Sequence, residues 1–162
     1  DMIKQFILNS DCKKINVEPI KFSFGHSLSN GVVLSPEIFK LKLGKFLLVL
    51  FHEIAHQYQF KKYGGDKMYE CYTGEISIEE ACKLMKNIEM VADEFATRKI
   101  SEFVKLGIIK QKDVGVSDFY KKVPLSHFEV TIKNIKNTLK SLDIKDHNKI
   151  SELFYNYAKS EM

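Results

Sequence analysis

Tryptophan is absent from this 162-residue chain, and proline (3), cysteine (3) and glycine (8) are scarce. So few breakers exclude a collagen-like chain, a Pro/Gly linker or a disordered tail. Cys12, Cys71 and Cys82 form no CxxC pair and leave an odd one over, which suits a reducing compartment better than a disulfide scaffold. Arginine occurs once, at Arg98, among 25 basic residues. Readers of DNA sequence lean on arginine for bidentate contacts to guanine, so specific nucleic-acid binding is not expected. The longest apolar run, Phe46–Phe51, falls far short of the roughly 20 residues of a membrane span. No basic segment followed by an apolar one marks a signal peptide. The expectation is a cytoplasmic protein with no membrane association.

What is present fits a folded domain. Hydrophobic residues are 44% and charged residues 28%, and a chain this long buries about two thirds of its unfolded surface. Residues 1–98 balance their charges, so the net +4 comes entirely from residues 99–162. A lysine-rich solvated surface accounts for it.

Periodicity and breakers predict a short amphipathic helix over Met2–Leu8, a strand within Ile15–Phe24 and a turn over Gly25–Gly31. A second strand, Gly31–Ser35, ends at Pro36. A helix follows from about Leu43 to Tyr63, stopped by Gly64-Gly65, and then a loop over 64–76. Ser77 and Glu80 form a capping-box start for a helix reaching about Leu106. Its apolar positions Ile78, Ala81, Met85, Ile88, Ala92, Phe95 and Phe103 form a buried stripe. A short helical piece near Asp118–Lys122 and two helices, about Ser126–Leu142 and His147–Lys159, complete the chain. The expected fold is a single α+β domain over 1–162, with a core over about 15–106 and a helical C-terminal extension over 107–162.

The informative stretch is His52-Glu53-Ile54-Ala55-His56. Positions i and i+4 share a helix face, so both imidazoles reach one ion. Glu53 stands beside them, able to touch a water without being a ligand. Zinc suits such a site because it takes nitrogen and oxygen ligands tetrahedrally. Chance at this composition produces H-E-x-x-H about 1% of the time in a chain this long, so context decides. That context is Glu89-Met-Val-Ala-Asp93-Glu94-Phe95-Ala96, where Glu89 and Asp93 share a face beside the apolar stripe. Carboxylates near a core are costly unless paired or on a metal. Glu89 as third ligand and Asp93 accepting the outer N–H of a ligand histidine satisfy both. Ala55 and Ala92 allow close helix approach, and Glu94 faces solvent.

His52-Glu-x-x-His56 followed by Glu89-x-x-Ala92-Asp93-x-Phe95-Ala96 resembles the gluzincin class of zinc metallopeptidases, and in particular the compact ImmA/IrrE-type proteins. Gly31-Val-Val-Leu-Ser-Pro36 resembles the edge strand those families place before the active-site helix. The resemblance covers about residues 20–100, and residues 107–162 lie outside it. It implies a zincin-like fold, Zn2+ on His52, His56 and Glu89, Glu53 as general base and Asp93 behind the ligands. The implied reaction is hydrolysis of a protein or peptide substrate, with regulated cleavage of a regulatory protein as the analogy. Ala55 replaces the glycine common before the second histidine. The segment 57–76 is closer to SprT-type proteins, which use a third histidine, yet no histidine follows His56 before His127.

Other positions stay open at this stage. Cys71 and Cys82 are thiolate alternatives for the third ligand, although buried structural cysteines fit their spacing better. Tyr69, Tyr72, Tyr120 and His127 are candidates to stabilise an oxyanion. His26 and His147 read as solvent-facing. Val32–Leu34 is the expected strand for substrate pairing. The alternative function is a zinc-binding interaction protein on the same scaffold without turnover, with residues 107–162 as a docking surface for a protein partner in either case. A third reading, from the lysine bias and the start at Asp1, is a piece of a larger phage or mobile-element protein.

Overall fold

Breaker residues set the element boundaries in the computed structural model, which describes residues 2–10, 12, 14–20, 23–114 and 119–160. In chain order the elements are α1 (Met2–Asn9), β1 (Ile15–Val17), β2 (Gly25–Leu28), β3 (Gly31–Leu34), α2 (Leu43–Tyr63), α3 (Gly65–Met68), α4 (Glu70–Thr73), α5 (Ile78–Lys105), α6 (Phe119–Lys122), α7 (Ser126–Ser141) and α8 (His147–Ser160). Short 3₁₀ turns occupy Pro36–Lys40 and Gln111–Asp113. The described chain is mostly helical with one small sheet, an α+β arrangement. Among the described residues, no helix is long and apolar enough to cross a membrane.

The sheet departs from the sequence expectation in three ways. First, β1 stops at Val17, level with the end of its partner β3 at Leu34, and a last ladder bond runs from Glu18 N–H to the Leu34 carbonyl at 3.0 Å. Lys21 and Phe22 of the expected strand lie outside the described residues. Second, Gly25–Leu28 is a strand and not a turn: it pairs antiparallel with β3, Leu28 opposite Gly31, across the two-residue connection Ser29–Asn30. Third, β3 is central and not an edge, since the strand order is β1-β3-β2 and β1 pairs with it in parallel. Gly31 permits that pairing. A Cβ there would lie 2.6 Å from the Lys14 carbonyl oxygen, which instead accepts from Val32 N–H at 2.8 Å.

The sheet packs on α2, and α2 packs along α5. Their shared core holds Val32, Leu34, Leu47, Phe51, Ile54, Ala96, Ile100 and Phe103. As the apolar run Phe46–Phe51 predicts, α2 is buried along most of its length, His52–Gln57 included. Ser77 caps α5 with the full capping box: its hydroxyl accepts from Glu80 N–H at 3.1 Å and Glu80 accepts from Ser77 N–H at 3.2 Å. Ala55, Ala92 and Ala96 are all buried.

Two further cores lie toward the C-terminus. Cys71, Ala81, Cys82, Val123, Phe128 and Ile132 form one, and Tyr69, Leu139 and Ile150 form the other. The expected loop 64–76 contains α3 and α4, which, with Tyr69 at their junction, bring Met68, Tyr69 and Cys71 into buried positions. A local pattern of one turn each is too short for periodicity to show. The expected helical piece near Asp118 begins at Phe119, Asp118 itself lying outside the described residues.

Candidate metal centre

His52 and His56 sit one turn apart on the buried face of α2, and Glu89 reaches them from α5. His52 Nε2 is 3.0 Å from Glu89 Oε2, His56 Nε2 is 3.3 Å from Glu89 Oε1, and the two Nε2 atoms are 3.1 Å apart. Donor atoms of all three lie within 4.8 Å of one another. Among the described residues no other group of His, Cys, Asp and Glu converges this way.

A residue that the sequence reading passed over sets the tautomer of His56. Gln59 Nε2 donates to the Ile88 carbonyl at 3.0 Å, so its oxygen must accept, and it accepts from His56 Nδ1 at 2.7 Å. With the proton held on Nδ1, the neutral ring presents the Nε2 lone pair to the centre. The signal was available as i+3 from His56 on the same helix. Asp93 is buried behind the other histidine, its Oδ1 3.9 Å from His52 Nδ1, an ion-pair separation longer than a hydrogen bond. Glu94 is exposed, as expected.

The electrostatics are those of a coupled cluster. Burial opposes ionisation of Glu89, and the two imidazoles overcome it, holding the carboxyl well below its usual range. Burial likewise disfavours a charged His56, but Glu89 outweighs it and raises the imidazole to about 9. With Glu89 ionised beside two imidazole rings, the cluster offers a divalent cation an anionic oxygen and two nitrogen donors.

Glu53 lines the same cleft, whose volume is about 580 Å³. Gly25 makes room for it: a Cβ on Gly25 would lie 3.0 Å from Glu53 Cγ. The β2–β3 hairpin is fastened to α2 around this point. Ser27 Oγ donates to the Glu53 carbonyl at 3.2 Å, and Gln57 donates to Ser27, to the Leu28 carbonyl at 2.7 Å and to the Gly31 carbonyl at 3.1 Å. Thus the backbone beside Glu53 is tied to the sheet.

Of the four oxyanion candidates, Tyr120 meets the cluster. Its ring stacks on His52 with centroids 5.6 Å apart, and its hydroxyl hydrogen-bonds Glu89. Burial and the surrounding carboxylates push that phenol well above its ordinary value, so it stays protonated. Tyr69 is committed elsewhere, its hydroxyl 2.7 Å from Ser151 Oγ, and Tyr72 donates to Met85 Sδ at 3.8 Å. His127 lines the cleft from an exposed position.

The two histidines read as solvent-facing differ from that expectation. His26 Nε2 is buried, and its ring packs 6.2 Å from Phe154, because β2 turns it toward α8. His147 is half-buried, its Nδ1 3.2 Å from Asp66. Cys71 and Cys82 are free thiols in the second core, and burial pushes the Cys71 thiol up to about 12. Comparisons with protein-family models, with curated proteins and with solved structures find no match to this chain, so the site stands on its own geometry.

Proposed function

We propose that this chain is a zinc-dependent peptidase with a zincin-like domain, in which His52, His56 and Glu89 hold the metal and Glu53 is the general base. The observation that carries the reading is the convergence of those three donor sets, with Glu53 on the same cleft. The donors suit zinc: two imidazole nitrogens and a carboxylate oxygen form a three-ligand set that leaves a position for water or substrate. Gln59 and Asp93 behind the histidines are the outer partners such a site uses to orient its ligands.

Bound there, zinc supplies Lewis acidity that brings the pKa of water toward about 7. Glu53 accepts the proton of the water that attacks a peptide carbonyl and delivers it to the leaving amine, so one carboxylate serves both halves of the reaction. Tyr120 turns its hydroxyl proton from Glu89 to the substrate carbonyl oxygen as negative charge develops there. Extended substrate adds its backbone along β2, which lines the cleft, and not along β3, whose two edges are taken by β1 and β2.

The test is metal analysis followed by one substitution. Protein purified without added zinc should carry about one zinc per chain, and His52→Ala should lose it. Glu53→Gln should keep the metal and lose peptide hydrolysis. Hydrolysis by Glu53→Gln at the wild-type rate would refute the reading. A zinc-loaded wild type that cleaves no peptide in a broad library would leave a metal-binding interaction protein in its place.

A further inference from the structure

The cleft is polarised along α2. Lys45, Leu48, Val49, His52, Glu53, His56 and Phe60 line it at the three- and four-residue spacing of one helix face. At the Phe60 end the wall is apolar and aromatic: Phe60, Tyr69, Tyr72, Met85, Phe128 and Phe154. Phe154 packs edge-on to Tyr69 at 5.7 Å and to Tyr72 at 5.5 Å, and Tyr69 packs on Phe60 at 5.4 Å. At the other end, Lys45 is exposed and is the one lysine or arginine among the described lining residues. Outside the candidate catalytic group of His52, Glu53, His56, Glu89 and Asp93, the described lining holds no carboxylate.

Resting on the peptidase reading, we infer that the cleft selects peptides with a bulky apolar side chain on one side of the cleaved bond and an acidic residue on the other. The apolar side chain fills the aromatic wall to which α7 and α8 contribute Phe128 and Phe154, and Lys45 meets the acidic residue. The spacing follows from helix geometry. Seven residues separate Lys45 from His52, about 10 Å at the rise of an α-helix. An extended peptide covers that distance in about three residues, so the acid belongs about three positions from the cleaved bond. Discrimination at the aromatic end is hydrophobic, through a pocket whose apolar surface an alanine leaves unfilled. Discrimination at the Lys45 end is Coulombic, and added salt weakens it.

The experiment measures binding, separately from turnover. Zinc-loaded, full-length Glu53→Gln is titrated by fluorescence anisotropy with labelled nonapeptides. The panel varies one central position through Phe, Leu and Ala, and the position three residues away through Asp, Ala and Lys. Phe and Leu peptides should bind about ten-fold tighter than Ala peptides, and Asp peptides tighter than Lys peptides. Added as a second substitution, Lys45→Glu should reverse the charge preference and leave the apolar one. Phe154→Ala should flatten the apolar preference. Thr131→Trp, from an exposed position on the cleft lining, should do the same by narrowing the pocket without touching the core. Equal binding across the panel, no binding at all, or preferences unmoved by Lys45→Glu and Thr131→Trp would overturn the inference. Selective binding beside a wild type that cleaves none of these peptides would refute the peptidase reading and leave the cleft's selectivity standing.

Discussion

Gln59 lies one helical turn beyond His56 and accepts its Nδ1 proton at 2.7 Å, while its own amide is held by the carbonyl of Ile88 on the neighbouring helix. One side chain therefore sets the ring's tautomer and ties α2 to α5 beside the candidate ligands. Gln59→Leu keeps the volume and removes the acceptor. Zinc affinity measured by chelator competition should fall about 10- to 100-fold, with the far-UV spectrum unchanged. Wild-type affinity in this variant would mean that His56 needs no such support.

Metal-free protein should show a stability window set by the same cluster. The His56 imidazole is raised in the folded state from 6.5 to about 9, so its contribution is complete below pH 6.5 and is lost as pH rises through about 9. Glu89 is depressed below its usual 4.5, so its contribution is complete above that value and is lost as pH falls through its lower folded one. Thermal stability of the metal-free protein should therefore be highest between about pH 4.5 and 6.5 and decline toward pH 9. Glu89→Gln should flatten the decline. Zinc affinity runs the opposite way, rising with pH, because binding must displace the His56 proton.

Thiol chemistry separates the cysteines. Burial raises all three thiols, Cys71 to about 12, but Cys71 and Cys82 are buried whereas Cys12 is half-buried and within reach of a reagent. At pH 8, an aromatic disulfide reagent should label Cys12 first, and Cys71 and Cys82 only after unfolding. Zinc binding should leave these rates unchanged. Protection of Cys71 by zinc would bring it into the ligand set.

Gly25 gives a test of Glu53 as the proposed general base that leaves the proposed metal ligands alone. Gly25→Val places a side chain where Glu53 Cγ now sits at 3.0 Å from the added Cβ. Displacing that carboxylate by about 1 Å should cost on the order of 100-fold in peptide hydrolysis, while zinc content by metal analysis stays near wild type.

The capping box makes a separate stability prediction. Ser77→Ala removes the hydroxyl that accepts from Glu80 N–H. It should cost about 1 kcal/mol in urea unfolding, with no change in zinc affinity.

Much of this architecture was legible along the chain because it is set by near neighbours. The start of α5 at Ser77, the stop of α2 before Gly64, and the shared faces of His52 with His56 and Glu89 with Asp93 follow from caps, breakers and the helical repeat. The hairpin was not legible. Gly25–Leu28 is short and polar at His26 and Ser27, and it becomes a strand only because β3 pairs with it and Gln57 holds it to α2.

What the amino-acid order alone determined is the pair of helices and the side chains they can offer to an ion, since both depend on spacings of three and four residues. Tertiary packing alone decided that β3 is central, that Tyr120 and not Tyr69 meets the histidines, and that α7 and α8 help wall the cleft. Those choices join residues distant in the chain, where side-chain volume and hydrogen-bond competition select the partner and no local repeat records it.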